Sequence, residues 1–232
     1  MKERIETKYG FKQEGASKYV VVAPHGAGDD LQTDKLVEKI AELLGASLVV
    51  NNKIRRSQSD FNDIAAARMG GLKHEFYSDI SELAMGARIH SKGEHDGEQH
   101  ALVIYIHGVS DDGRIGIDLG IGAKYNSATK TYVGPKKHPK GKSNTGVVRT
   151  NTKLARNMRL SLDEKLKNDK GLRTWIGKKY PAWSKNNGIQ YHKGTPDHSM
   201  QIEICRELRR SDNLDYVAQL IVESVEGAYK KL

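Results

Sequence analysis

The sequence predicts an α/β fold in which a mixed, largely parallel central sheet is flanked by helices. Short apolar runs rich in β-branched residues, typical of buried strands, alternate with longer segments whose apolar residues recur at helical spacing. Near the N-terminus these segments follow one another as strand, loop, helix and strand, and such a βαβ unit implies parallel strands. The 232 residues are expected to form one domain, with a basic loop or insertion at about residues 123–148.

The βαβ unit begins with a predicted strand at Tyr19–Ala23, and a turn-rich loop over 24–30 follows it. Apolar residues at helical spacing in 36–44 predict a helix that ends at Gly45 as its C-cap. The run Ser-Leu-Val-Val at 47–50 is the second predicted strand of the unit.

Six further elements complete the predicted sheet and its helical layers. The run Ala-Leu-Val-Ile-Tyr-Ile at 101–106 is typical of a strand buried on both faces. Glycines within 115–121 allow close backbone approach in another strand, and residues 200–205 alternate as a strand does. The predicted elements are helix 77–89, strand 101–106, strand 115–121, helix 152–166, strand 200–205 and helix 214–229.

An excess of positive charge indicates an anionic partner. Lys and Arg total 38 against 29 Asp and Glu, a formal net charge of +9, which attracts nucleic acid, acidic headgroups or small acidic substrates. Residues 124–159 contain no acidic side chain, so an alternative function is the binding of a polyanion or nucleic acid by this segment. Aromatic residues are only 6% of the chain and no helix-turn-helix pattern is present, which disfavours nucleic acid.

Three absences in the sequence favour a cytoplasmic protein. No apolar run reaches 18 residues, so neither a transmembrane helix nor a membrane partner is expected. The first eight residues are charged and contain no apolar h-region, so no secretory signal is expected. The single cysteine, Cys205, excludes an intrachain disulfide and a thiolate metal cluster.

Two predicted strands end in a His-Gly pair, His25-Gly26 and His107-Gly108. Ligands of open parallel sheets bind beyond the carboxyl ends of the strands, so both imidazoles are expected at one edge. Two histidines and a carboxylate are a ligand set that suits a catalytic zinc ion. The alternative is that each histidine only caps its own loop. The acidic residues that follow the two pairs are Asp29 and Asp30, and Asp111 and Asp112.

Glu203 is the candidate general base beside such a metal. The isoleucines on either side of it are expected to face one layer of the fold, so that Glu203 and Gln201 face the other, toward a cleft or toward solvent. A carboxylate in a cleft can take the proton of the attacking water and pass it to a leaving amine, a contribution of about 10²–10⁴ in rate. A solvated glutamate on an edge strand is the alternative.

Guanidinium and amide groups elsewhere are candidates for binding the substrate. Arg56 and Asn62 follow the second strand, where a surface turn is the alternative, and Arg149 and Arg209 are further candidate anion clamps. His198 is expected to line the cleft. The histidines that we expect at the surface, rather than as ligands, are His90, His95, His138 and His192.

These residues resemble the N-formylglutamate amidohydrolases and their relatives, the phage-type poly-γ-glutamate hydrolases, which have a zinc carboxypeptidase-like fold. The resemblance covers residues 20–62, 102–122 and 198–209, and the order of the motifs and their strand contexts agree. The matching residues are Pro24 to Asp30 with Thr33, Arg56 to Asp60 with Asn62, His107-Gly108, and Gln201-Ile202-Glu203 followed by Leu208-Arg209.

The resemblance implies a zinc-dependent amidohydrolase that acts on an acidic N-acyl amino acid or a glutamyl peptide. His25, Asp30 and His107 would bind the zinc ion, and Glu203 would be the general acid and base. Asp30 is assigned rather than Asp29 because the poly-γ-glutamate relatives carry Glu at that offset.

The resemblance also implies that Arg56 and Asn62 hold the substrate's carboxylate or polarise its carbonyl. Three positions depart from the family pattern: Ala27 replaces a glycine, the acidic ligand is Asp rather than Glu, and Asp63 stands where the formylglutamate enzymes usually have Arg.

Overall fold

An eight-stranded mixed sheet with helices on both faces forms the centre of the fold in the computed structural model, which describes residues 2–67, 70–91, 99–126, 128–134 and 146–232. The strands are β1 (Ile5–Glu6), β2 (Gly10–Gln13), β3 (Tyr19–Ala23), β4 (Ser47–Asn51), β5 (Leu102–Val109), β6 (Ile115–Gly120), β7 (Lys124–Asn126), β8 (Thr131–Val133), β9 (Arg173–Ile176) and β10 (His198–Cys205). The helices are α1 (Thr33–Leu44), α2 (Gly71–Arg88), α3 (Thr152–Lys170) and α4 (Leu214–Tyr229).

The strand order across the sheet is β1-β2-β4-β3-β5-β10-β6-β9. The four central strands, β4, β3, β5 and β10, run parallel to one another, whereas β2 and β6 pair antiparallel to the block on its two sides. The predicted mixed, largely parallel sheet is therefore confirmed. Among the described strands, β7 pairs with β8 alone, in a separate hairpin inside the segment that was predicted to be a loop.

Apolar side chains fill the space on both faces of the sheet. Helices α1, α3 and α4 cover one face, where isoleucines of β5 and β10 pack against them. Helix α2 covers the other face and packs on residues such as Val22 and Tyr105. The helix of the βαβ unit ends as predicted, because Gly45 has a left-handed backbone (φ 60°) and its N–H caps the last turn.

Two helices are longer than their apolar patterns predicted. Helix α2 begins at Gly71 rather than at residue 77, and α3 continues to Lys170 rather than ending at residue 166. The last turn of α3 is exposed, so no apolar residue marks it in the sequence, and its end is set by Gly171, which has a φ of 66°.

The register of β10 decides which of its residues can reach the candidate site. Glu203 pairs with His107 of β5 and with Asp118 of β6, so these three side chains share one face of the sheet near the carboxyl end of β5. His198 instead pairs with Leu102 at the opposite end of β5. The expectation that His198 lines the cleft is wrong, because five residues of extended strand separate it from Glu203 by about 16 Å.

His192 was expected at the surface, but it is buried, with 1% of its area exposed. Its Nε2 lies 2.8 Å from the hydroxyl of Tyr105, which is also fully buried. Burial lowers the pKa of His192 to about 4, so the ring is neutral near pH 7. The burial of His192 could not be predicted from the sequence, because the short 3₁₀ helix Gly188–His192 carries no apolar periodicity.

Some predictions lie outside the described residues. They include His95, His138 and part of the basic segment, of which residue 127 and residues 135–145 are not described. In the described ranges, no helix is both long enough and apolar enough to cross a membrane.

We expect Asp197→Asn to lower the free energy of unfolding by about 3 kcal/mol at pH 7. The buried carboxylate accepts hydrogen bonds from Arg88 Nε at 2.7 Å, Arg88 Nη2 at 2.5 Å and the N–H of Ala101 at 3.0 Å. Burial raises the pKa of Asp197, but Arg88 and this N–H lower it more, so the pKa lies below its ordinary value.

A carboxyl group with a lowered pKa stabilises the fold above the pKa it has in the unfolded chain, and this contribution is lost as the pH falls. The stability difference between wild type and Asp197→Asn is therefore expected to shrink below about pH 4. Urea unfolding at pH 7, 5 and 3 measures it, and a difference that does not depend on pH contradicts the assignment.

Candidate metal centre

The two His-Gly turns meet at one edge of the sheet. Strands β3 and β5 pair directly in parallel, so their carboxyl ends are adjacent. The rings of His25 and His107 lie 5.1 Å apart between centroids, and both are buried, with 1% and 2% of their area exposed. The prediction that two histidines distant in sequence converge is confirmed.

Asp30 completes a cluster of three candidate ligands. Its Oδ2 lies 3.2 Å from His25 Nδ1 and 3.4 Å from His107 Nδ1, and one ligand atom from each residue lies within 4.8 Å of the others. Two ligand atoms on a tetrahedral zinc ion are about 3.4 Å apart, since each bond is about 2.1 Å long. The spacing and the donor types therefore fit a zinc ion.

Local hydrogen bonds hold Asp30 in place at the start of α1. The N–H of Asp30 donates to the carbonyl of His25 at 3.1 Å, and the hydroxyl of Thr33 donates to the carbonyl of Asp30 at 2.7 Å. Of the two aspartates considered, Asp30 is the one in the cluster. Asp29 instead accepts the main-chain N–H of Arg56 at 2.6 Å.

The cluster carries a buried negative charge. Burial raises the pKa of Asp30, but hydrogen bonds from His107 and His25 outweigh this and hold the pKa far below its ordinary value. Burial lowers the pKa of His25, and hydrogen bonds to Asp30 and Asp60 raise it to a net value above normal. The centre therefore attracts a cation, and a metal ion and a proton compete for the same imidazole nitrogen.

Asp60 orients the ring of His25 from behind. Its Oδ1 lies 2.8 Å from His25 Nε2 and accepts the N–H of Asn62 at 2.8 Å. A proton held on Nε2 by this carboxylate leaves the lone pair on Nδ1 facing the cluster, which is the usual arrangement behind a ligating histidine. His107 Nε2 is buried and has no hydrogen-bond partner in the part of the chain that is described.

Glu203 lies beside the cluster, in register with His107, and only 7% of it is exposed. Burial raises the pKa of Glu203 above the ordinary value. The charge of His107 lowers this pKa, and the charge of Asp30 raises it further. Gln201 Nε2 donates to Glu203 Oε1 at 3.0 Å, and Asn187 Nδ2 donates to Gln201 Oε1 at 2.9 Å. The glutamate is thus held in one orientation in an environment that favours proton uptake.

Arg56 lies at the exposed side of the cluster. Its Nη2 is 2.5 Å from His25 Nδ1 and 3.5 Å from Asp30 Oδ1, and 47% of its side chain is exposed. The structure thus brings this predicted residue to the centre, with a guanidinium between the buried cluster and solvent.

Asn62 and Arg149 make contacts of a different kind. Asn62 Oδ1 accepts the N–H of Gly188 at 3.0 Å, joining the loop after β4 to the 3₁₀ helix before β10. Arg149 Nη2 donates to the carbonyls of His192 and Asp197, both at the far end of β10 from Glu203. The structure does not bring Arg149 to the centre, because its main chain pairs with Ser199 rather than with the end of the strand.

Two carboxylates that support the fold around the centre were not predicted from the sequence to have a role. Asp60 was noted only as part of a motif. Asp118 is fully buried and accepts the N–H groups of three consecutive residues after β9, at 2.7 to 3.0 Å. A lone acidic residue inside the apolar strand Ile-Gly-Ile-Asp-Leu-Gly was the available signal, since a buried carboxylate requires hydrogen-bond donors. The three donors are Lys178, Lys179 and Tyr180.

The described part of the basic segment contains cations that already have partners. Arg159 Nη2 lies 3.3 Å from Asp163 Oδ2 and its Nε donates to the carbonyl of Thr174. Lys153 Nζ donates to the carbonyl of Leu232 at 2.6 Å. Binding of a polyanion by residues 124–159 stays a prediction.

Solved structures share this fold at low sequence identity. A bacteriophage poly-gamma-glutamate hydrolase is 18% identical over 95% of this chain and 88% of its own, with a TM-score of 0.52. An N-formylglutamate amidohydrolase from Ralstonia eutropha JMP134 is 12% identical over 98% and 97%, with a TM-score of 0.58. A gene product of Agrobacterium tumefaciens is 13% identical over 94% and 92%, with a TM-score of 0.61.

No protein-family model and no curated protein sequence matches the chain. The structural neighbours therefore show the fold, and two of the three are of the kinds that the motifs resemble. The predicted resemblance is confirmed at the level of the fold.

We expect Asp60→Ala to weaken zinc binding by about 10- to 100-fold, because His25 loses the carboxylate that fixes its tautomer and ring orientation. Competition with a fluorescent zinc chelator measures the affinity. Asp112→Ala is the control, since the side chain of Asp112 is exposed to a similar degree (51% against 42%) and its carboxylate pairs only with Lys179 among the described contacts. Equal affinities of the two variants would contradict the role of Asp60.

Proposed function

We propose that the protein is a zinc-dependent hydrolase that cleaves an amide bond, with Glu203 as its general base. One observation carries this proposal: a buried set of two imidazoles and one carboxylate at zinc-ligand spacing, with a buried glutamate in register beside it. The fold shared with two hydrolases of amide bonds supports it.

His25, Asp30 and His107 would hold the zinc ion. When bound there, zinc supplies a Lewis acid that polarises a carbonyl and lowers the pKa of water. Glu203 takes a proton from the attacking water and gives it to the leaving amine. Gln201 keeps the carboxylate of Glu203 turned in one direction, so the proton is taken and returned at a fixed place.

An acidic N-acyl amino acid or a glutamyl peptide is the proposed substrate class. The phage protein is named for poly-gamma-glutamate and the Ralstonia enzyme for N-formylglutamate, and both compounds carry a carboxylate near the amide. Arg56 supplies the half-exposed guanidinium at the mouth of the centre and would bind that carboxylate in a two-point contact.

Asp63 does not take part in this contact. Its carboxylate accepts the N–H of Ala65 and caps the 3₁₀ helix Ile64–Ala66. This chain therefore has a helix-capping residue at the position where the formylglutamate enzymes usually have Arg. In the proposed site, Arg56 binds the anion instead. Asn62 is proposed to contact the substrate through the part of its amide that does not accept from Gly188.

We expect the purified protein to contain about one zinc ion per chain, and His25→Ala or His107→Ala to lose it, because two protein ligands cannot hold the ion at a site built for three. Elemental analysis after dialysis measures the zinc content. A wild-type protein that takes up no zinc would show that the proposed function is wrong.

We expect Glu203→Gln to keep zinc and to lose hydrolysis by about 10²–10⁴-fold, since the amide cannot accept the proton of water. Release of amine from N-formylglutamate and from poly-γ-glutamate measures the rate. Glu207→Gln is the matched control, because Glu207 is an exposed glutamate four residues further along. Full activity in the zinc-loaded Glu203→Gln protein would reject this mechanism.

A further inference from the structure

Arg209 is a buried cation just beyond β10, and only 5% of it is exposed. It was considered from the sequence as an anion clamp, but its guanidinium points into the protein. Three of its nitrogens donate to main-chain carbonyls: Nη1 to Leu31 at 2.5 Å, Nη2 to Val109 at 3.0 Å and Nε to Ile204 at 3.0 Å. The guanidinium therefore joins three separate segments of the chain.

Each of these carbonyls belongs to a segment that carries a residue of the candidate centre. The three segments are the loop before α1, the end of β5 and the end of β10, and they are far apart in sequence. Leu31 follows Asp30, Val109 comes two residues after His107, and Ile204 follows Glu203. One side chain thus fixes the spacing of two metal ligands and the general base.

Only arginine can make this set of contacts. The guanidinium is planar and presents five N–H donors in fixed directions, so it can reach three carbonyls on different sides. The three donors of a lysine diverge from one nitrogen and cannot span the same separation. A buried carbonyl that loses its donor becomes costly, since no water replaces the bond.

Gly108 leaves the space that the guanidinium occupies. A Cβ on Gly108 would lie 2.3 Å from Arg209 Cζ and 2.5 Å from its Nη1, far inside van der Waals contact. The backbone of Gly108 is not in the left-handed region, so the space and not the conformation requires glycine here. The glycine beside His107 is thus explained by Arg209.

Nearby carboxylates balance the charge of Arg209 at longer range. Burial lowers the pKa of this guanidinium, and the carboxylates of Asp30, Asp111 and Glu203 oppose the shift. The cation is therefore retained in the interior, close to the negative charge that the centre carries.

We propose that Arg209 is a positioning residue of the metal centre, which holds the segments of Asp30, His107 and Glu203 at the spacing that metal binding requires. It acts through main-chain carbonyls and contacts neither substrate nor metal. The inference rests on the proposed function in one respect, that this centre binds a divalent metal.

The test is a titration of the full-length chain with Zn²⁺ and, for its spectrum, with Co²⁺. We expect Arg209→Met to bind Zn²⁺ about 10- to 100-fold more weakly than wild type, as supporting residues around metal ligands do. The visible Co²⁺ bands are expected to change in position or intensity, because the ligand spacing is no longer fixed. Arg209→Lys keeps the charge and is expected to restore only part of the affinity.

Arg88→Met is the matched control. Arg88 is also an arginine held by hydrogen bonds to a buried partner, Asp197, but this pair lies at the opposite end of β10 from Glu203. The control is expected to lower the midpoint of thermal unfolding while Zn²⁺ affinity and the Co²⁺ spectrum stay those of wild type. A loss of metal affinity equal to that of Arg209→Met would mean that general destabilisation explains both variants, and it would overturn the proposal.

Gly108→Ala tests the same contact without removing the arginine. It is expected to weaken Zn²⁺ binding in the wild-type background, and to have little further effect in the Arg209→Met background, where the guanidinium is gone. Full additivity of the two substitutions would show that the contact has no part in metal binding. If Arg209→Met does not fold, Gly108→Ala alone is the test, and Zn²⁺ affinity equal to that of wild type would overturn the proposal.

The outcomes separate this inference from the proposed function. Absence of Zn²⁺ binding by the wild-type chain would reject both. Zn²⁺ binding by wild type that is unchanged in Arg209→Met would reject the positioning role and leave the proposed hydrolase intact.

Discussion

The buried carboxylate of Asp30 is the group around which the candidate centre is arranged. Removing a carboxylate from water is costly unless donors or a cation compensate for the charge. His25 and His107 supply the compensation from the ends of two adjacent parallel strands. Both imidazoles also have a nitrogen lone pair when they are neutral. The arrangement that stabilises the buried carboxylate therefore also provides three ligands for a divalent metal ion.

Residues outside the cluster hold its members and Glu203 in place. Asp60 fixes the ring of His25, and Gln201 fixes the carboxylate of Glu203. Arg209 ties together the main chain of all three segments that bear Asp30, His107 and Glu203. A site on strand ends with such support loses little entropy on binding a metal or substrate, since its side chains are already ordered.

Charged residues near the two ends of β10 make different contacts. At the carboxyl end Glu203 lies beside the candidate centre, and Arg56 lies between the centre and solvent. At the amino end Arg88, Arg149 and Asp197 form hydrogen bonds that hold the sheet to its surroundings. Near the carboxyl end the guanidinium of Arg56 is half-exposed, whereas that of Arg209 is bonded to main-chain carbonyls, as the guanidinium of Arg149 is near the other end.

The sequence by itself determined the order of the main elements, the parallel strands and the meeting of His25 and His107 at one edge of the sheet, but it left the choice between Asp29 and Asp30 open. It could do so because apolar runs report burial and because polar residues at the carboxyl ends of such strands share one edge. The orientation of the arginines was decided only by the tertiary structure. Arg56, Arg149 and Arg209 look alike in sequence, and only packing shows which guanidinium meets solvent and which meets buried carbonyls. The same holds for His192, whose burial depends on Tyr105, a residue 87 positions away.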